Sequence, residues 1–123
     1  MGNNAFYWCT GIEDTFITKP GANTGKTLDE YELTNHYKLW EKDLSNIASL
    51  GVNTVRWGIP WYKVNPSEKK YDWSWTDKVF EYLDKIALSP IVDFIHYGVP
   101  AWIEGSFLNP DYPSFVEEYV YEV

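Results

Sequence analysis

Residues 91–102 read IVDFIHYGVPAW, and this stretch decides how the whole chain is interpreted. It begins as an apolar run with β-branched residues, which is typical of a buried strand. Gly98 and Pro100 break the pattern directly after His96 and Tyr97. We therefore expect a strand that reaches the histidine, with a polar and aromatic group at its carboxyl end.

Two further strands are predicted upstream of this stretch. Residues 5–12, AFYWCTGI, form an apolar and aromatic run, and residues 53–59, NTVRWGI, form a shorter run with β-branched residues. Pro60 ends the second run. Each run is followed by a segment whose apolar residues recur at a different spacing.

That spacing predicts helices between the strands. Thr27 and Glu30 fit a capping box, and apolar residues then recur at helical intervals until Gly51 supplies a stop signal. Residues 75–88 form a second helical segment, which Pro90 ends. Downstream, Ser114 is a candidate N-cap residue for a third helix.

The alternation of strand and helix is typical of parallel βαβ units in the α/β class. It predicts a partial TIM (β/α)8 barrel comprising about the first three βα units, with the strands parallel and the helices packed on one side. We interpret residues 1–123 as the N-terminal fragment of a single (β/α)8 domain, because the chain stops inside a predicted helix.

Charge and composition exclude several classes of partner. The net charge is −8 and the isoelectric point is about 4.6, which disfavours nucleic acids and anionic membrane surfaces. The single cysteine, Cys9, cannot form an internal disulfide bond. No apolar run approaches the length of a membrane span, and the first residues lack a signal pattern, so we expect a cytoplasmic protein.

No cofactor or metal ion is predicted. Residues 21–27, GANTGKT, resemble a phosphate-binding loop, but only three residues separate the glycines, so a surface turn is the better interpretation. His36 and His96 have no cysteine or carboxylate at a metal-binding spacing in the sequence. His36 lies within the first helical segment, where we expect an exposed or half-buried side chain.

The residues at the predicted strand ends are the candidates for a site, because loops that follow barrel strands form the active face. Arg56 on the second strand is costly to bury without a partner, so it either pairs with Glu13 or forms part of a polar floor that binds sugar. Strand alternation places Asp93 on the face opposite His96. It also directs Glu13 and Asp14 to opposite sides.

Two ordered sets of residues resemble family-one glycoside hydrolases, the β-glucosidase-like retaining enzymes. The first set spans the second predicted strand, and the second set spans the third: Leu50, Gly51, Arg56, Trp61 and Pro66, then Pro90, His96, Pro100 and Trp102. The stretch GIEDTF, residues 11–16, resembles a divergent bacterial branch of that family. The resemblance runs from about residue 6 to the last residue.

The resemblance implies roles for individual residues. His96 matches a histidine that hydrogen-bonds sugar hydroxyls, and Arg56 matches an arginine that lies beneath the catalytic nucleophile. Glu13 lies near the position of a sugar-binding glutamine. Tyr97 and Trp102 are expected to wall the same cleft, whose ligand is a β-glycoside.

The same resemblance places both catalytic carboxylates on the fourth and seventh strands of the barrel. This chain provides neither strand, so none of its residues is predicted to be catalytic and the chain alone is expected to be inactive. Two alternatives stay open: a non-enzymatic carbohydrate-binding or assembly module, and part of a cellulase-like or mannanase-like barrel. The oligomeric state is not predicted.

Overall fold

The computed structural model describes residues 6–19 and 27–123. The expectations for Ala5 and for residues 20–26, which include most of GANTGKT, lie outside the described residues. The elements follow in the order β1 (Cys9–Gly11), β2 (Phe16–Ile17), β3 (Leu28–Asp29), α1 (Glu30–Leu33), α2 (His36–Ser49), β4 (Thr54–Gly58), α3 (Trp61–Val64), α4 (Thr76–Lys85), β5 (Ser89–Asp93) and α5 (Tyr112–Glu122). A short 3₁₀ helix, Ser106–Leu108, precedes α5.

Strands β1, β4 and β5 form one sheet in the order β1-β4-β5, and both neighbouring pairs are parallel. The connections between them carry helices α2 and α4. The predicted parallel βαβ arrangement is therefore confirmed. A separate antiparallel pair, β2 with β3, lies in the connection that follows β1.

The two faces of the sheet differ in burial. Val55 and Trp57 of β4 are fully buried and belong to the same apolar cluster as Leu44 of α2 and Leu83 of α4. Arg56 lies on the opposite face and is only partly buried. The alternation along β4 thus separates a helix-covered core from a polar face, as strand geometry requires.

The first helix does not begin at the predicted capping box. Residue Asp29 caps α1 by accepting a hydrogen bond from the backbone N–H of Glu32. The cause is tertiary, because Leu28 pairs with Ile17 across the antiparallel pair and keeps this segment extended. Asn35, in the left-handed conformation with φ 58°, then separates α1 from α2. Gly51 does follow the end of α2, with φ 78°.

Two other predicted boundaries are also wrong. The ladder of β5 ends at Asp93, so His96 follows the strand instead of ending it. Helix α5 begins at Tyr112 after Asp111, so Ser114 lies inside the helix. None of the helices in the described ranges has the length and apolar character needed to cross a membrane.

Candidate functional site

The carboxyl ends of the three parallel strands bring five polar side chains together, which we call the strand-end cluster: Glu13, Asp14, Arg56, Asp93 and His96. The register explains the placement. Gly11 of β1 lies opposite Arg56, and Gly58 of β4 lies opposite Asp93. Residues that follow β1 and β5 therefore meet above the end of β4, at the edge where barrel enzymes place their sites.

Asp14 is the partner of Arg56. Its Oδ1 atom accepts a hydrogen bond from Nη2 of Arg56 at 2.7 Å, and the Asp14 side chain has no exposed surface. Of the two alternatives for Arg56, the internal pair with a carboxylate is formed, but with Asp14 and not with Glu13. Nη1 of Arg56 also lies 4.0 Å from Oδ2 of Asp93. An arginine in this strand needs a carboxylate, and the structure supplies a buried one.

Burial raises the pKa of the Asp14 carboxyl above its ordinary value, and the charge of Asp93 adds to this effect, while Arg56 opposes it. Oδ2 of Asp14 is buried and has no hydrogen-bond partner among the described residues. The carboxyl group lies directly against Gly58, in the space that a side chain on that residue would fill. Asp14 thus has no access to solvent.

His96 lies beside all three carboxylates of the cluster. Its Nδ1 atom is 3.1 Å from Oδ2 of Asp93 and 3.6 Å from Oδ1 of Asp14, while Nε2 is 3.8 Å from Oε1 of Glu13. The expectations that Asp93 faces away from His96, and that Glu13 and Asp14 point to opposite sides, are both wrong. Regular alternation ends with the strands at Gly11 and Asp93, so it does not govern the loops.

Glu13 is the exposed carboxylate of the cluster. Its Oε1 atom accepts hydrogen bonds from the hydroxyl and the backbone N–H of Thr15. The hydroxyl hydrogen bond is the main reason that the pKa of Glu13 lies below its ordinary value, with smaller contributions from His96 and Arg56. The carboxylate is therefore ionised at neutral pH and faces solvent.

The two predicted aromatic walls have different surroundings. Tyr97 is 62% exposed, and its ring meets that of His96 edge to face with centroids 4.8 Å apart. Trp102 donates its indole N–H to the carbonyl of Asn65 at 3.0 Å, and its ring packs against Phe115. The structure thus brings Glu13, Arg56, His96 and Tyr97 together, whereas the contacts of Trp102 lie with α5 and the segment after α3.

A cation is a poor match for the strand-end cluster. Glu13, Asp14 and His96 each offer a ligand atom, and these atoms lie within 4.8 Å of one another. However, the guanidinium of Arg56 already contacts Asp14 at 2.7 Å and neutralises a carboxylate that a metal ion would need. The remaining donors and acceptors suit hydrogen bonds to a polyhydroxylated ligand.

His36 is not part of this site, and its predicted exposure is wrong. The side chain is only 1% exposed in the core between α2 and β4. Nδ1 lies 2.8 Å from Oδ2 of Asp43, and Nε2 accepts a hydrogen bond from Nε1 of Trp57 at 3.1 Å. Desolvation lowers the pKa of His36, although Asp43 opposes this shift.

Sequence reasoning missed Asp14 and Asp93. For Asp14 a signal existed, because a strand arginine requires a nearby carboxylate and the stretch GIEDTF offers two adjacent ones. For Asp93 the sequence suggested the opposite orientation, since the strand was expected to extend through His96. The contact of Asp14 joins it to Arg56 from a distant part of the chain, and the contact of Asp93 depends on where the β5 ladder ends, so the folded chain defines both.

Comparison with known proteins identifies the class to which this arrangement belongs. Residues 31–112 match the family model described as beta-galactosidase, glycoside hydrolase family 42. Beta-glucosidase 1 of Oryza sativa subsp. japonica is 29% identical over 110 residues, covering 80% of this chain and 20% of that protein. The human cytosolic beta-glucosidase is 29% identical over 107 residues.

Solved structures show the same relationship in three dimensions. The GH1 beta-glucosidase from Exiguobacterium antarcticum B7 aligns with a TM-score of 0.68 and 26% identity, covering 72% of this chain and 21% of that one. A beta-glycosidase from Pyrococcus horikoshii shares the fold with a TM-score of 0.73 over 95% of this chain and 31% of that one. The expected β-glucosidase-like relationship and barrel class are confirmed. The chain spans about a fifth of the length of the curated relatives it matches over most of its own length.

Proposed function

Because the chain belongs to the beta-galactosidase family of glycoside hydrolases, we propose that it is the N-terminal part of a retaining β-glycosidase. Its strand-end cluster contributes part of the subsite that binds the sugar of a β-glycoside. The proposal is supported by relatives named as beta-glucosidases and beta-galactosidases, and by the position of the cluster at the carboxyl ends of parallel strands.

One observation carries this proposal. Nε2 of His96 lies 3.8 Å from the exposed Glu13 carboxylate and makes no hydrogen bond within the described residues, while the side chain keeps 22% of its surface exposed. A neutral imidazole offers one donor and one acceptor, which suits a sugar hydroxyl. The neighbouring ring of Tyr97 provides an exposed apolar surface for the face of a pyranose.

The other members have supporting roles. Arg56 contributes a positive charge at the base of the proposed subsite. We propose that Glu13 accepts a hydrogen bond from a second sugar hydroxyl, because its carboxylate is ionised and exposed. Trp102 is proposed as a more distant wall, since its indole N–H is occupied by Asn65. None of these side chains is assigned as nucleophile or acid.

Retaining hydrolysis needs two accessible carboxyl groups about 5–5.5 Å apart on either side of the scissile bond. Asp14 is fully buried against Arg56, and Asp93 is engaged with His96, which leaves Glu13 alone. We therefore expect the 123-residue chain to hydrolyse neither an aryl β-glucoside nor an aryl β-galactoside. Turnover by the pure chain that disappears in Glu13→Gln would contradict this and make Glu13 catalytic.

Sugar binding can be tested directly, because the chain contains only two histidines. Methyl β-glucoside and methyl β-galactoside are titrated into ¹⁵N-labelled protein while the ring signals of both histidines are followed. We expect the His96 signals to shift with saturation and those of buried His36 to stay in place. The variant His96→Ala should reduce the affinity by about tenfold, the loss of one hydrogen bond.

Glycerol at the same concentration is the matched control for nonspecific effects of hydroxyl groups. If neither sugar moves the His96 signals more than glycerol does, the proposed subsite is wrong. A cytoplasmic location stays part of the proposal. It is supported by the single free cysteine and by the cytosolic human relative.

A further inference from the structure

Asp93 stands out because neither the sequence motifs nor the expected sugar contacts assign it a role. Its Oδ2 atom is 3.1 Å from Nδ1 of His96, on the side of the ring away from Glu13. We propose that Asp93 is a positioning residue that fixes the tautomer of His96, so that Nδ1 carries the proton and Nε2 presents a lone pair to the ligand. The inference rests on the proposed sugar site and states which kind of group binds there.

The chemistry of the pair determines the tautomer. An ionised carboxylate only accepts hydrogen bonds, so the ring nitrogen that faces it must be the N–H donor. In a neutral imidazole the other nitrogen is then an acceptor. A carboxylate behind a histidine has this effect in metal sites and catalytic triads, where it also fixes the orientation of the ring.

Asp93 is better placed for this role than the other two carboxylates. Asp14 lies further from Nδ1, at 3.6 Å, and its Oδ1 atom already accepts from Arg56 at 2.7 Å. Glu13 faces the other ring nitrogen at 3.8 Å and bonds to Thr15.

The backbone of Asp93 is fixed by the sheet. Its carbonyl accepts a hydrogen bond from the N–H of Ile59 at 3.0 Å, and its Cα lies in register with that of Gly58. The side chain is 23% exposed, so it is sheltered without being isolated from solvent. A residue held in this way keeps the imidazole in one orientation before any ligand arrives.

The fixed tautomer selects the ligand group. Nε2 accepts, so the group that binds it must donate a hydrogen bond, as a sugar hydroxyl does and as an ether oxygen cannot. A deoxyfluoro sugar, in which fluorine replaces this hydroxyl, keeps nearly the same size and a weak acceptor but loses the donor. Such a derivative should bind much less well than its parent.

The tautomer can be measured without any sugar, from the ¹⁵N shifts and couplings of the two histidine rings. In the neutral form of the wild-type His96 ring we expect a protonated Nδ1 and an unprotonated Nε2. In Asp93→Asn, whose amide can either accept or donate, both tautomers of His96 should be populated. The signals of His36, held by Asp43 and Trp57, should stay unchanged and show that the variant is folded.

The charge-matched control is Asp84→Asn on the exposed surface of α4, which should leave both rings as in the wild type. A wild-type His96 that carries its proton on Nε2, or on both nitrogens, overturns the inference. So does an unchanged His96 tautomer in folded Asp93→Asn.

Sugar titrations separate this inference from the proposed function. If the inference holds, Asp93→Asn binds methyl β-glucoside about twofold to fivefold more weakly, because only about a half to a fifth of the His96 rings then present an acceptor. If the wild-type protein shows the expected tautomer but no sugar binding, the proposed function fails and the role of Asp93 stands. Equal sugar affinity in a folded variant with mixed tautomers contradicts the role of Asp93 in binding.

Discussion

The two histidines of this protein have the same kind of partner at Nδ1 and different surroundings at Nε2. In each, Nδ1 lies within hydrogen-bond distance of an aspartate: Asp43 for His36 and Asp93 for His96. At Nε2 they diverge. His36 accepts from the indole of Trp57 in the core, whereas Nε2 of His96 lies 3.8 Å from the exposed Glu13 carboxylate.

This difference shows that an aspartate–histidine pair does not by itself mark a site. The His36 ring is satisfied at both nitrogens and 1% exposed, so its contacts contribute to stability. The His96 ring is satisfied at one nitrogen, and the open nitrogen lies at the edge of a parallel sheet. The second nitrogen and its access to solvent distinguish a structural histidine from one that can bind.

The largest expected effect is on the stability of the His36 neighbourhood. His36→Ala removes a buried ring and leaves the indole N–H of Trp57 without its acceptor, so the free energy of unfolding should fall by about 3 kcal/mol. Urea unfolding measures this. His96→Ala, the matched variant, should lower the free energy of unfolding by less than about 1 kcal/mol. Comparable losses in the two variants would contradict the distinction between a structural His36 and a binding His96.

The next effect tests how tightly the strand-end cluster is packed. In Gly58→Ala the new methyl group would overlap the carboxyl of Asp14, which is buried and held by Arg56. The rearrangement should lower the free energy of unfolding by about 2 kcal/mol. Gly51→Ala is a contrasting variant, because its cost arises from φ 78° and, chain neighbours aside, no atom of residues 6–19 and 27–123 lies within 4 Å of the added methyl group.

Chemical-shift changes separate the two mechanisms. Gly58→Ala should move the ring signals of His96 through Asp14, while Gly51→Ala should leave them in place. If Gly58→Ala has wild-type stability and unchanged His96 ring signals, the carboxyl of Asp14 has room to rotate away from the new methyl group.

The pH dependence of stability should have opposite slopes in the two neighbourhoods. The pKa of His36 is lowered in the folded state from an ordinary value of 6.5, so the unfolded chain binds the proton more tightly. Stability contributed by neutral His36 is therefore complete above pH 6.5 and declines as the pH falls towards the folded-state pKa. In His36→Gln this decline should vanish from urea titrations at successive pH values.

The contribution of Asp14 to stability has the opposite pH dependence. Its pKa is raised in the folded state from an ordinary value of 3.8, so stability should decline as the pH rises from 3.8 through the folded-state pKa. The variant Asp14→Asn should remove this contribution. A slope that survives in Asp14→Asn would assign it to another carboxylate.

The smallest effect on stability is expected for Glu13→Gln. The side chain is exposed, and the substitution preserves its size and its ability to accept from Thr15. The free energy of unfolding should change by less than about 0.5 kcal/mol. Sugar affinity should fall measurably, because a charged acceptor becomes neutral, and an unaltered affinity would remove Glu13 from the proposed site.

Much of the framework was predictable from local pattern. The spacing of apolar residues predicted the parallel strands around Val55 and Ile91 and the helices that join them, and the structure has both. The cost of burying an unpaired strand arginine indicated that Arg56 needs either a carboxylate or a ligand as its partner. The order of motifs around His96 indicated the glycosidase relationship, which the family match confirms.

The sequence by itself determined the alternation of elements, because hydrophobic periodicity acts over a few residues and depends only on near neighbours. Tertiary structure decided which carboxylate meets which base. Asp14 replaces Glu13 at Arg56, and Asp93 turns toward His96, because alternation stops where the strand ladders end. Tertiary structure also decided that His36 can be buried, because Nε2 of its ring accepts a hydrogen bond from Trp57 on β4. The physical reason is that two residues far apart in the sequence, such as Arg56 and Asp14, can form a hydrogen bond only after packing has brought their side chains close together.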